Sequence, residues 1–306
     1  MVQKVDKIWL DGEYVDWDQA NVHILTHTLH YGLGVFEGIR CYKQADGTSA
    51  LFRLKEHIKR LYESSQMFWM DIPYSFEELL QVSKDIFKVN KLDEGYLRPI
   101  AFVGEGAMGL NAPDNPIRVA CIAWPWGAYL GEDGINKGIK AKVSSYTRLA
   151  LNVNFSKSKA CGNYINSILA KREAILAGYE EALMLDNDGY LAEASGENIF
   201  VIKDNVVRTP PRASSMLNGI TRDCALQILK DNNIEVLEEK IVREDAYIAD
   251  EIFLTGTAAE ITPIRELDNH KIGVGKPGPI TQKVQKIFFD AIRGKVDRYK
   301  EWLDTI

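Results

Sequence analysis

Cysteine is scarce and scattered in this chain. Cys41, Cys121, Cys161 and Cys224 form no C-x-x-C pair, which argues against a zinc finger or a dithiol motif and for reduced thiols in a reducing compartment. Long apolar runs are also missing. None reaches the ~20 residues needed to span a bilayer, and the opening MVQKVDKIWLDGEYVDWD has no apolar signal core, so no secretory signal is expected. There is no long basic tract, and the net charge is −6. Nucleic acid and anionic membranes are therefore poor partners. These absences point to a soluble, cytoplasmic protein that works on small molecules.

What is present is an ordinary globular balance, 46% hydrophobic and 26% charged over 306 residues, enough for a sizeable core and for two domains. Helical periodicity covers 55–70 and 76–90, the second aligning Phe76, Leu79, Leu80, Ser83, Ile86 and Phe87 on one face. Residues 96–104 and 117–124 read as apolar strands. The stretch WPWGAYLG, 124–131, mixes turn formers with large aromatics, as an interdomain linker would. The second half carries hairpins around Asp188-Gly189 and Asp204-Asn205, interrupted by helices at 163–177, 220–232 and 280–293. Strands in runs with interspersed helices predict α/β content of the α+β kind. The expected division is a small domain over 1–123, a linker over 124–134 and a larger domain over 135–306.

Two motifs mislead. His23, His27 and His30 have helical metal-ligand spacing but no acidic fourth ligand nearby, and no metal site is expected. Gly273, Gly275 and Gly278 spell G-x-G-x-x-G, yet Pro277 and Pro279 remove backbone donors that a pyrophosphate needs. The acidic pairs Glu77-Glu78 and Glu180-Glu181 read as solvated edges.

The residues that suggest chemistry lie elsewhere. Lys159, in NFSKSKACGNYINS, precedes a helix. A lysine at a strand end in a partly dry cleft loses its proton more readily, as carbonyl chemistry requires. Lys157 shares its alternation face and competes for that role. Glu193, in YLAEASGENIF, could face a pyridine nitrogen and keep it protonated, with Ser195-Gly196 letting the backbone turn closely after it. Asn218-Gly219-Ile220-Thr221 opens a helix, whose N-terminal amides suit a phosphate or serve simple capping. Gly256-Thr257-Ala258 forms a further small-residue turn.

Taken together and in order, HTLHYGLGVFEGIRCY, EHIKRL, YLRP, WPWGAYLG, SKACGNYINS, EASGENIF, LNGITRD and GTAAEITPI resemble the branched-chain amino-acid aminotransferases, of the class IV, fold type IV group that uses pyridoxal 5'-phosphate (PLP). The resemblance runs from about residue 8 to the end. It implies a two-domain fold related to D-amino-acid aminotransferases. It also implies amino-group exchange between leucine, isoleucine or valine and 2-oxoglutarate, and at least a homodimer with Tyr31 or its neighbours reaching across the interface. Lys159 resembles the cofactor-bearing lysine, Tyr164 the partner of the phenolic oxygen, and Glu193 that of the ring nitrogen. Leu217 resembles the residue packed on the ring. Arg60, Gly219, Ile220, Thr221 and Thr257 resemble the phosphate cup. On the substrate side, the resemblance assigns Tyr96 and the turn amides after Gly256 to the α-carboxylate. It assigns Tyr31, Phe36, Gly38, Met108, Tyr129 and Ala258 to the side-chain pocket, and Arg98 to the distal carboxylate of glutamate. Cys161 and Asn218 depart from the family pattern. A D-amino-acid aminotransferase, an aminodeoxychorismate-type lyase and a PLP-binding protein without turnover are the rival readings. GVFEGIRCY and YLRP favour the branched-chain one.

Overall fold

Strand-forming β-branched and aromatic residues at 95–103 and 117–124 build the longest pairing of the first half. It is an antiparallel ladder from Tyr96 opposite Trp124 to Val103 opposite Ile117. The computed structural model describes residues 2–127 and 131–306, and Tyr129 of the expected pocket lies outside the described residues. The chain divides into two compact units. One holds residues 1–127, 158–162 and 291–306, and the other 128–157 and 163–290. Two segments distant in sequence thus pack with the first unit, which a contiguous division at 123 and 134 does not express.

Among the described residues, the first unit carries an eight-stranded sheet. Its order is Leu303–Thr305, Ser49–Phe52, Ile39–Lys43, Gly95–Val103, Ile117–Trp124, Lys7–Leu10, Glu13–Asp16, with Gly34–Phe36 pairing beside Gly95–Val103. Helices Leu54–Gln66 and Phe76–Val89 bury Leu54, Ile58, Leu61, Leu79, Ile86 and Phe87 with Leu97, Val119 and Cys121 from the sheet. The second helix starts at a capping box, with Ser75 and Glu78 each accepting from the other's amide. The first was expected to run to residue 70 and stops at Gln66. Trp69 is left-handed (φ 53°) and the Met70 amide returns to the Ser65 carbonyl, a helix-ending turn without glycine.

The second unit carries a nine-stranded mixed sheet among the described residues. Its order is Leu191–Ala194, Glu181–Leu185, Ile139–Val143, Glu260–Leu267, Glu251–Gly256, Asn198–Lys203, Val206–Thr209, Val236–Glu238, with His270–Lys271 beside Glu260–Leu267. Both expected hairpins form. Helices Tyr164–Leu176, Ile220–Asp231 and Pro279–Ile292 fall where periodicity predicts them. The glycines at 273, 275 and 278 lie in the loop before the last of these. Among the described residues no helix is long and apolar enough to cross a membrane.

Candidate active site

In the first unit, the Lys159 peptide is gripped on both sides. Its N–H donates to Ser64 Oγ (3.1 Å), its carbonyl accepts from the Phe36 amide (3.1 Å), and Ala160 bridges to Val35. The amine sits 5.2 Å from the centre of the Phe36 ring. A lysine whose main chain is fixed this firmly spends little entropy when its side chain is put to use. No local pattern marks Ser64 for this task, because it lies on the helix Leu54–Gln66, 95 residues away.

Arg60 is aimed by a buried carboxylate. Glu37, fully buried, accepts from Arg60 Nε (2.6 Å) and Nη2 (2.9 Å), and from His57 Nδ1 (2.7 Å). Burial would raise the Glu37 pKa. The Arg60 and His57 charges and their hydrogen bonds outweigh it and hold the carboxyl well below the usual range. Burial pushes His57 down, against the pull of Glu37. EGIR and EHIKR contain all three residues, but the motifs single out only Arg60.

Tyr96 and Gly38 fit as lock and key. A Cβ at residue 38 would lie 1.8 Å from the Tyr96 hydroxyl, so only glycine fits. Tyr96 also packs on Trp124 and Trp126 (5.2 and 4.4 Å between ring centres). Arg98 lies over the Phe36 ring at 4.6 Å. Phe36, Gly38, Tyr96, Arg98 and Lys159 are therefore brought together. Tyr31 and Met108 are not part of that contact set and are 44% and 42% exposed. His27 ties both to one support. Its ring lies 4.5 Å from Tyr31, and its Nε2 donates to the carbonyl of Gly109, next to Met108 (2.8 Å). His30 Nε2 donates to the Ile24 carbonyl. These histidines are engaged in local structure.

In the second unit, Glu193 lies in the buried strand Leu191–Ala194 and collects donors from several segments. Arg148 Nη2 stands 2.8 Å from Oε1, and Oε2 accepts from the Leu217 amide (3.2 Å) and Asn198 Nδ2 (3.4 Å). Asn198 also donates to the Leu217 carbonyl (2.9 Å), and a Cβ on Gly219 would meet its Oδ1 at 2.0 Å. Residues 217–219 are thus pressed onto the strand that follows Glu193. The helix Ile220–Asp231 begins there, with Gly219 at the N-cap and no side-chain capping bond. Its first amides belong to Ile220 and buried Thr221 and form the positive end of the helix dipole. Thr257 and Ala258 lie in the three-residue turn between Glu251–Gly256 and Glu260–Leu267, closed by left-handed Glu260 (φ 55°). Tyr164 opens the helix Tyr164–Leu176. Arg148 has no recognisable motif around it, and sequence reading missed it.

Glu197, two residues past the Ser195-Gly196 turn's start, is buried. Burial first, then the nearby Glu181 charge, push its carboxyl up to about 8, with Lys171 opposing. A carboxyl raised in the folded state binds a proton that the unfolded chain has released above its ordinary value. Stability therefore falls as pH rises from about 4.5 towards about 8. Glu197→Gln should remove that slope. Thermal unfolding of wild type and variant should diverge by more than about 1 kcal/mol between pH 5 and pH 8, the variant gaining. Parallel curves would show that Glu197 is ionised throughout.

Residues 34–267 match the family model described as amino-transferase class IV, and the chain belongs to this family. A curated relative from Pseudomonas aeruginosa, named branched-chain-amino-acid aminotransferase, is 48% identical over 302 residues, covering 99% of this chain and 98% of that protein. The crystal structure of the Escherichia coli branched-chain amino acid aminotransferase matches with a TM-score of 0.96 and 44% identity, over 98% of this chain and 99% of that one. The T.th. branched-chain amino acid aminotransferase with pyridoxamine 5'-phosphate matches at 0.94 and 44%, over 98% of each chain. The mixed α/β architecture is that of the class IV aminotransferases, and PLP is their cofactor. The donor set of this chain fits PLP chemically: a lysine on a fixed peptide, a buried carboxylate, an arginine held by its own counter-ion, and a helix N-terminus free of side-chain capping.

Proposed function

We propose that this chain transfers the amino group of L-leucine, L-isoleucine and L-valine to 2-oxoglutarate, giving branched-chain 2-oxo acids and L-glutamate. The observation that carries the reading is the doubly anchored Lys159 beside Phe36, in a chain nearly co-extensive with relatives of that name. When bound, PLP supplies an electron sink for the charge left on the substrate's Cα. Lys159 would carry the cofactor, and its free Nζ would move a proton between the substrate's Cα and the cofactor's C4′, acting as base and then as acid. Glu193 keeps a proton on the pyridine nitrogen. Tyr164 holds the phenolic oxygen, and Leu217 covers the ring. Arg60, Gly219, Ile220, Thr221 and Thr257 bind the phosphate. Tyr96 and the amides after Gly256 hold the α-carboxylate. Phe36, Gly38, Tyr31, Met108, Tyr129 and Ala258 shape the side-chain pocket, and Arg98 takes the distal carboxylate of glutamate. The test is glutamate formation from L-leucine and 2-oxoglutarate by purified protein. Pyruvate release without glutamate would mark a lyase, and turnover of D-alanine alone a D-amino-acid enzyme.

Glu193→Gln should slow the L-leucine half-reaction by roughly ten-fold or more, the scale of a hydrogen bond to a charged group. PLP affinity should change far less, because the phosphate donors remain. Stopped-flow spectra of the half-reaction measure this, and a wild-type rate would remove Glu193 from the ring nitrogen.

The working form is a cytoplasmic homo-oligomer in this reading. Ile24, Leu29 and Leu110 of the first unit are 72%, 58% and 92% exposed in the single chain, apolar side chains that association with a second copy would cover. Light scattering should give at least twice the chain mass of 34.5 kDa. A monomer at micromolar concentration would refute it.

A further inference from the structure

The SKSK segment holds two lysines, and the proposed reaction uses one. Lys157, in the second unit, is half-buried and committed to two acceptors. Its Nζ donates to the carbonyls of Ser214 (2.8 Å) and Met216 (2.9 Å). The Met216 amide also turns back onto the Ser214 carbonyl (2.8 Å), so two carbonyl oxygens converge within one tight bend. Ser214, Ser215 and Met216 are all buried, where converging carbonyls without a donor are costly. Burial lowers the Lys157 pKa, and the Glu193 charge opposes that fall.

The bend leads straight into the residues assigned to the cofactor. Leu217 follows, its amide on Glu193 and its carbonyl on Asn198. Then come Gly219, pressed on Asn198, and the first turn of the helix Ile220–Asp231. On the far side of the bend, Arg222 Nη2 donates to the Pro210 carbonyl (2.9 Å). Lys157 is thus the clamp at the entry of a segment that has no regular structure before residue 220.

We propose that Lys157 is a positioning residue for the phosphate end of the cofactor. It fixes the 214–216 bend so that the Ile220 and Thr221 amides stand in register to receive the anion. This rests on the reading that Gly219, Ile220 and Thr221 hold the phosphate.

The experiment compares binding of PLP and of pyridoxal, which lacks the phosphate, to apoprotein of the full chain by fluorescence quenching. Lys157→Met should raise the Kd for PLP by about ten-fold or more, the scale of losing hydrogen bonds from a charged donor, and barely alter that for pyridoxal. Lys157→Arg, which can span the same two carbonyls, should restore PLP binding. Borohydride reduction should still label Lys159 in both variants. Unchanged PLP binding in Lys157→Met, or equal losses for PLP and pyridoxal, would overturn the proposal. Ile220→Pro, which removes a donor amide at the first helical position, where proline is tolerated, is the control on the underlying reading. If it leaves PLP binding intact, the phosphate assignment fails, whatever Lys157 does. Should Lys157→Met not fold, Lys157→Gln, with a shorter neutral donor, is held to the same comparison.

Discussion

Lys159→Ala folds normally and loses turnover by about a thousand-fold or more, the scale on which a positioned acid–base group and covalent catalysis contribute. Folding is spared because the contacts that fix this segment are main-chain ones. The Ser64 hydroxyl holds the Lys159 amide, Phe36 holds its carbonyl, and Ala160 bridges to Val35. Alanine preserves all three. Thermal unfolding should therefore shift by only a few degrees, the usual scale for a change of about 1 kcal/mol. PLP should still bind, through its phosphate and ring contacts. Borohydride reduction of wild type followed by peptide mapping should find the label on Lys159. A label on Lys157 would exchange the roles of the two lysines, against the geometry that commits Lys157 to the Ser214 and Met216 carbonyls.

Arg98→Ala and Arg98→Met should separate the two substrates. One pocket has to accept both leucine's apolar side chain and glutamate's charged one, and a buried carboxylate needs a cation. Two structural observations bear on Arg98. Among the described residues no carboxylate lies within ion-pair distance of it, and its Nε is buried without a hydrogen bond. Its one described polar contact is a long 3.5 Å approach to the Tyr96 hydroxyl. A purely bracing arginine would show an acidic partner. Arg40, the other arginine of this region, is occupied by the carbonyls of Trp126 (3.0 Å) and Gly127 (2.9 Å). Loss of Arg98 should cost the glutamate half-reaction ~2–5 kcal/mol, the scale for breaking a desolvated charge pair, and the leucine half-reaction much less. Single-turnover rates with each substrate decide. Equal losses would make Arg98 structural.

The family was legible from ordered short motifs, and most elements from periodicity. The helices at 76–89, 164–176 and 220–231 announce themselves through apolar spacing and caps or breakers. The helix ending at Gln66 was harder. No glycine or proline marks its end before Pro73, and the left-handed residue that turns the chain is a tryptophan. Supporting residues escaped for a different reason. Ser64 under Lys159, Arg148 on Glu193 and Asn198 against Gly219 act across gaps of 95, 45 and 21 residues. Local patterns carry no information about such contacts. Gly38 was read as part of a pocket. Its strict requirement becomes visible only when the Tyr96 hydroxyl is seen in the space its side chain would fill.

The first unit also has a consequence for how the polypeptide is made. Its edge strand Leu303–Thr305, paired with Ser49–Phe52, and the segment bearing Lys159 are both encoded after long stretches of the second unit. A ribosome delivers the amino-terminal 127 residues well before either piece exists. Until then the Ser49–Phe52 edge stands open and available to other strands. The second unit has no such debt, since most of its chain is one continuous run from 163 to 290. A released chain truncated after residue 290 should hold a protease-resistant second unit and a sensitive first one. Restoring the last sixteen residues, 291–306, should convert the first to resistance.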